Sequence, residues 1–191
     1  MMDTVVANVL KHAALMGMDA AVEFDLKLLN PQSRIRSLCS QDKCGNFRKH
    51  YMCPPYIGSL EDIGERLARY HRGILLQRTT PLDVKNDREG LVQSKKDFHE
   101  LILQLEDYCK NLLSLRGKEV EHAWGLIGGT CELCQPCKAV TAEPCPFTER
   151  ARPSLEALAI DVVELCKRYN LDCEFHPDKI TWTGALLLRG R

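Results

Sequence analysis

The chain has 191 residues, and its 26 Lys and Arg side chains balance its 26 Asp and Glu side chains. This length suits one domain with a substantial core, so we expect residues 1–191 to form a single domain. A formal net charge of zero produces no overall field for nucleic acid or an anionic membrane surface, and neither partner is expected.

Ten cysteines are the strongest anomaly in the composition. No apolar run of about 18 residues could span a bilayer, and residues 1–18 lack the basic start and continuous apolar core of a secretory signal. We therefore expect a cytoplasmic protein. Reducing compartments keep thiols free, so clustered cysteines are expected to bind metal rather than form disulfides.

The first half of the chain alternates helix and strand signals. Apolar residues at helical spacing predict a helix over residues 2–16, and a period-two pattern predicts a strand over residues 19–29. After a polar, proline-containing segment, Ser59 is a plausible N-cap for a short helix. A strand follows over residues 73–80 and ends at Pro81.

The second half contains the clearest helix, predicted over residues 88–116 from its single apolar face. Strands are predicted over residues 121–128 and 180–188, with another possible start near Cys173, and a helix over residues 152–169. The start of that helix would bring a positive dipole end close to Cys145. The order predicts an α+β or α/β fold with a mixed sheet of about four to five strands and packed helices.

Residues 128–152 form the second cysteine loop. Cys131, Cys134 and Cys137 are each separated by two residues, and Cys145 precedes a proline. This spacing resembles the bacterial ferredoxin segment that holds a 4Fe–4S cluster, although the gap before Cys145 is longer. A structural zinc site is the alternative, but its usual signature is two Cys-x2-Cys pairs or one pair with two histidines.

Residues 34–58 form the first cysteine loop, with Cys39, Cys44 and Cys53 in a polar segment that contains Gly45 and two prolines. Free cysteines that only pack usually lie on periodic apolar faces, so we interpret these three as ligands. Charged and aromatic neighbours in this loop are either solvated or able to balance a cluster charge: Arg34, Arg36, Arg48, Lys49, His50 and Tyr51. His50 is a surface residue or a possible ligand or proton donor.

The seven loop cysteines divide into a group of four and a group of three. In the simplest assignment the second loop binds one cluster through four thiolates, and the first loop binds another through three. An exchange of Cys53 or Cys145 between the clusters is equally allowed. Cys109, Cys166 and Cys173 are expected to pack as small apolar residues.

Taken together, these motifs resemble the prokaryotic family described as predicted metal-binding proteins. The resemblance covers about residues 34–190. It combines the cysteines of both loops, the Cys53-Pro54-Pro55 run and the Pro-Ser-Leu-Glu sequence of residues 153–156. It implies a metal-binding protein, chiefly of the iron–sulfur kind, in an anaerobe-like cytoplasm.

The predicted function is that of a 4Fe–4S protein with one or two clusters. It would transfer electrons or reductively activate a partner enzyme, so a redox partner protein is expected. The first alternative is an enzyme that uses an iron without a fourth protein thiolate for non-redox chemistry. The second is a zinc protein in which the loops only brace the fold. The sequence contains no phosphate loop, no nucleophile elbow and no zinc-protease motif.

Overall fold

The computed structural model describes residues 2–115 and 120–190. The regular elements within this part of the chain are five α-helices, two short 3-10 helices and four strands. In chain order they are α1 (Met2–Leu15), β1 (Ala20–Phe24), a 3-10 helix (Leu26–Leu28), α2 (Ser33–Ser40), α3 (Leu60–Leu67), β2 (Arg72–Pro81), α4 (Arg88–Leu115), β3 (Val120–Leu126), a 3-10 helix (Lys138–Thr141), α5 (Val162–Arg168) and β4 (Lys179–Gly190).

The four strands form one sheet in the order β1-β2-β4-β3, and every neighbouring pair is antiparallel. The α+β class is therefore confirmed. The prediction of a mixed sheet was wrong in its strand directions. A period-two pattern identifies a strand with a buried face, but it carries no information on which way the neighbouring strand runs.

Each face of the sheet has its own apolar core. Ile74 and Leu76 of β2 point to the side covered by α1 and α4, where Val9, Phe98 and Ile102 pack. Leu75, between them in sequence, points to the other side and packs with α3, α5 and the chain that precedes α5. The alternation along β2 thus fixes a three-layer arrangement with the sheet in the middle.

Most predicted elements are confirmed with small shifts in their bounds. The long helix α4 covers residues 88–115 of the predicted 88–116, and residue 116 lies outside the described part. Ser59 caps α3 through a full capping box with Asp62. The predicted strand over residues 19–29 is shorter, because Asp25 caps a 3-10 helix directly after β1. No strand begins near Cys173, since β4 starts at Lys179.

The predicted helix over residues 152–169 was wrong in its first half, because α5 begins only at Val162. The preceding segment runs beside β3: Ile127 N–H donates to the Pro153 carbonyl (3.0 Å), and Ile127 and Ser154 form a parallel bridge. Ala159 then adopts a positive φ of 64°, which breaks any helix there. The expected positive helix end close to Cys145 does not exist.

No helix within residues 2–115 and 120–190 has the length and apolar character needed to cross a membrane.

Candidate metal centre

The first cysteine loop is not wholly irregular, because α2 occupies its beginning and places Cys39 in the last helical turn. Cys39 is half-buried, Cys44 is exposed and Cys53 is buried. The Cys39 thiol points to the backbone carbonyl of Glu156, at a sulfur–oxygen distance of 3.9 Å. The first loop therefore contacts the segment that follows the second loop.

The second cysteine loop leaves the end of β3, as predicted. Cys131 and Cys137 are buried, whereas Cys134 and Cys145 are half-buried. Cys131 packs within the core beneath α1 and α4, and Cys145 and Leu133 pack against that core. The loop therefore packs on apolar side chains of the core and does not simply extend into solvent.

A buried ion pair ties the second loop to α4. Lys95 of α4 pairs with Glu132, and their side chains are only 15% and 10% exposed. The Lys95 ammonium also donates to the Thr130 hydroxyl at 3.3 Å. Gly129 has a φ of 70°, and a Cβ there would lie 3.1 Å from both Lys95 and Trp182. The apolar periodicity that predicts α4 carries no signal for this role of Lys95.

His50 joins the two loops. Its Nε2–H donates to the Cys131 carbonyl at 2.9 Å, while its Nδ1 accepts from the Met52 N–H at 3.2 Å. The side chain is buried, so the expectation of a surface histidine was wrong. Burial lowers the pKa of His50, which favours the neutral ring that these two hydrogen bonds require. With both nitrogens engaged, His50 holds the loops together and has no nitrogen free for a metal.

A second link between the loops comes from Tyr51, whose hydroxyl donates to the Glu143 carbonyl at 2.6 Å. Its ring meets that of Tyr56 edge to face, with 5.2 Å between centroids. Tyr56 in turn donates to the Arg48 carbonyl within the first loop. Together with His50, these contacts bring the two cysteine loops side by side.

The thiols of the two loops are electrostatic neighbours. The pKa of Cys53 is raised to about 12, chiefly by burial and to a smaller degree by the nearby thiols of Cys44, Cys39, Cys137 and Cys131. The Cys53 thiol therefore has cysteines of both loops among its electrostatic neighbours.

Within the second loop, the pKa of Cys131 is raised to about 11, chiefly by burial, with smaller contributions from the thiols of Cys134, Cys145 and Cys137. Cys53 and Cys131 together thus have the other five candidate ligands among their electrostatic neighbours. A bound metal would have to displace the protons of these two buried thiols.

The described residues contain no group of three or more His, Cys, Asp or Glu side chains placed to hold a metal ion. The thiol set is therefore gathered into one region but is not arranged as a finished coordination site. Its donor chemistry is uniform, because all seven candidate ligands are soft sulfur atoms that suit iron–sulfur clusters or zinc.

Arg36 offers an independent sign that the thiol region accommodates a further group. Its Nη1 donates to the Gly58 carbonyl at 3.1 Å, but Nε and Nη2 are buried without a hydrogen-bond partner in the described chain. Burial lowers the pKa of Arg36, and Cys39 is the neighbour that raises it. Buried N–H groups without acceptors are costly, so a metal-bound thiolate or sulfide near Cys39 fits this position.

Three other basic residues of the first loop have partners of their own. Arg34 pairs with Asp161, and Lys49 pairs with Asp42 at 3.2 Å. The Arg48 guanidinium lies 5.6 Å from the Phe47 ring centroid. Of these side chains, Arg36 alone combines a place beside a cysteine with unpaired donors in the described structure.

The three remaining cysteines lie apart from this set, in agreement with their predicted packing role. Cys109 is fully buried in the core beneath α1 and α4, and Cys166 is buried in the opposite core. Cys173 packs against that second core and is half-buried.

The fold and this region together define an α+β protein with two thiol-rich loops joined at one end of its sheet. The model of the family described as "Predicted metal-binding protein (DUF2284)" matches residues 23–188. The chain belongs to this family, as the cysteine motifs suggested, and a general metal-binding role follows. No curated protein and no solved structure matches the chain.

Proposed function

We propose that the two cysteine loops bind iron as one or two 4Fe–4S clusters through Cys39, Cys44, Cys53, Cys131, Cys134, Cys137 and Cys145. The observation that carries this proposal is the position of Cys53, whose thiol has cysteines of both loops as its electrostatic neighbours. Hydrogen bonds from His50 and Tyr51 to the second loop hold the two loops together, so that each loop can supply sulfur ligands. The ferredoxin-like spacing of the second loop favours iron–sulfur over zinc.

The proposed role is electron transfer to, or reductive activation of, a partner protein in the cytoplasm. A cluster ligated entirely by thiolates chiefly accepts and donates electrons. Several apolar side chains on the two loops are exposed and available for a transient protein contact: Leu38, Tyr56, Val140 and Phe147. Clusters that exchange electrons with proteins need such a close but reversible approach.

A second candidate function is substrate chemistry at an iron that lacks a fourth thiolate. It is favoured by the first loop, which combines three cysteines with the two unpaired N–H donors of Arg36. Such donors suit an anionic or sulfur-containing group at the open position. This candidate requires that a small added ligand perturb the electron paramagnetic resonance spectrum of the loaded protein.

The deciding experiment is the iron, acid-labile sulfide and zinc content of anaerobically purified protein. Iron and sulfide in about equal amounts are expected for cubane clusters. Stoichiometric zinc without sulfide would refute the iron–sulfur proposal and leave a zinc protein.

The Arg36 contact has its own test on the loaded protein. Arg36→Gln should lower the reduction potential of the cluster, because N–H donors to cluster sulfurs favour the more negative reduced state. Arg34→Gln is the matched control, since Arg34 pairs with Asp161 and should leave the potential unchanged. Equal potentials in both variants would contradict a donor role for Arg36.

A further inference from the structure

A cavity of about 570 Å³ lies beside the first cysteine loop and is not part of the thiol set. Its walls come from the first loop, including Tyr51 and Met52, from α3, α4 and β3, from the end of the second loop and from the residues that follow it. This volume falls within the range of roughly 300–1,000 Å³ that is usual for small-molecule sites.

An ion pair between Arg152 and Glu106 forms part of the cavity lining. Arg152 donates to both carboxylate oxygens of Glu106 at 2.6 Å, and the two side chains are 13% and 2% exposed. The remaining Arg152 nitrogen donates to the Glu149 and Ala151 carbonyls. Glu106 also accepts the Gly125 N–H of the edge strand β3. The charged groups of Arg152 and Glu106 therefore form their hydrogen bonds with each other and with backbone groups.

Arg66 is different. Its guanidinium carbon lies 3.5 Å from the centroid of the Trp124 ring, and none of the ion pairs found in the described residues involves it. Asp62, one turn earlier on the same helix and also in the cavity lining, is engaged in the α3 capping box with Ser59. The neutral hydroxyl of Tyr70 lies near the Arg66 guanidinium, and Arg152 and Arg69 add further positive charge around it. Arg66 is thus a cation at the cavity wall that lacks an anionic partner.

Apolar and polar side chains share the rest of the lining. Met52, Ile63 and Pro153 contribute hydrophobic surface, and Trp124 is buried beneath Arg66. Glu149 adds a carboxylate whose charge is offset by nearby Arg152, and Lys110 pairs with Asp107 at 2.8 Å. The exposed guanidinium of Arg66 beside the three apolar side chains suits an anion with an apolar part.

We propose that this cavity binds a small organic anion, with its carboxylate or phosphate on Arg66 and its apolar part against Met52, Ile63 and Pro153. A guanidinium stacked on an aromatic ring is held in place and can still donate in its own plane to such a group. The occupant would lie next to Tyr51 and Met52, the two residues that precede Cys53 in the chain. The proposal does not depend on which metal the loops bind.

The test is calorimetric titration of the purified protein with benzoate and phenyl phosphate as probes, and with neutral benzamide for comparison. Saturable binding of at least one anion is expected, with benzamide binding much more weakly. Arg66→Gln should weaken anion binding by about tenfold or more, since it removes a charge-assisted hydrogen bond. Arg66→Lys, which keeps the charge, should recover part of the affinity.

Arg69→Gln is the matched control. Arg69 lies one turn further along the chain, outside the cavity lining, and its loss should leave binding unchanged. Equal affinity in the Arg66→Gln and Arg69→Gln proteins, or no saturable binding of either anion by folded protein, would overturn the proposal. Iron, sulfide and zinc are measured on the same samples, so that a failure of metal binding is seen separately. Unchanged circular dichroism confirms that each variant is folded.

Discussion

The protein uses cysteine in two regions that differ in what surrounds the thiol. Cys109 lies in α4 among apolar side chains of the core. Cys53 lies in the first loop, and four cysteines from the two loops are its electrostatic neighbours. Burial raises the pKa of both thiols to about 12. Burial therefore does not separate a packing cysteine from a candidate ligand, whereas the identity of the neighbours does.

The largest expected effect is the loss of metal when the central loop thiol is removed. Cys53→Ser should abolish most of the bound metal, because Cys53 is the thiol adjacent to both loops and serine is a poor ligand for soft metals. Iron, zinc and sulfide analysis of the purified protein measures this.

Cys109→Ser is the control and should retain its metal while losing stability, since it buries a hydroxyl in the core. If the Cys109 variant lost metal and the Cys53 variant kept it, the distinction between the two regions would be wrong.

The next effect concerns the connection between the regular core and the loop region. Arg152 is the last residue of the second loop and pairs with Glu106 of α4 in a buried, bidentate ion pair. Arg152→Met should lower the free energy of unfolding by roughly 3–5 kcal/mol, because it leaves a buried carboxylate unpaired. Urea unfolding followed by circular dichroism provides the measurement.

Arg150→Met is the matched control, since Arg150 pairs with Glu100 while both side chains are about half exposed. Its loss should cost only about 0–1 kcal/mol. Comparable losses in the two variants would show that the buried pair does not anchor the loop region.

The regular region was largely predictable from the sequence, because its signals are local and periodic. The single apolar face of α4 and the N-cap at Ser59 predicted elements that the structure contains. The helix predicted from Arg152 failed because Leu155, Leu158 and Val162 are spaced like a helix, but Leu155 and Leu158 pack as part of an irregular segment. A bridge to Ile127 holds that segment, and such a tertiary contact overrides local pattern.

The sequence predicts candidate ligands for the site but not the contacts that bring the two loops together. Clustered cysteines at fixed spacing are visible in a sequence, whereas His50 to Cys131 is a contact across 81 positions. Strand direction was unreadable for the same reason. The unpaired nitrogens of Arg36 and the charge balance around Arg66 also depend on three-dimensional neighbours.

A smaller effect is expected for the link between the loops. His50→Phe removes hydrogen bonds from the Cys131 carbonyl and the Met52 N–H. The free energy of unfolding should fall by roughly 1–3 kcal/mol, and a chelator should extract metal faster. The amount of metal in freshly purified protein should not change, because His50 is not expected to be a ligand.

His176→Phe is a control, since His176 makes only a partly exposed contact with Asp172. A drop in metal stoichiometry in the His50 variant that matched the Cys53 variant would make His50 a ligand after all.

The smallest expected effect is a pH dependence that arises in the regular core. His99 of α4 is buried, and its Nε2–H donates to the Arg150 carbonyl at 2.9 Å. Burial lowers its pKa below 6.5, aided by Arg152 and Arg150, while that hydrogen bond and Glu100 act in the opposite direction.

Below about pH 6.5 this histidine binds a proton more readily in the unfolded chain than in the folded protein, so the free energy of unfolding falls as the pH drops. Above about pH 7.5 it is neutral in both states and has no such effect. His99→Gln can still donate to the Arg150 carbonyl but cannot titrate. As the pH falls from about 7 to 5, the unfolding free energy of the wild type should therefore decrease more than that of this variant. A difference that stayed constant across this range would show that the histidine proton is not coupled to folding, and any remaining acid sensitivity would then belong to the loop region.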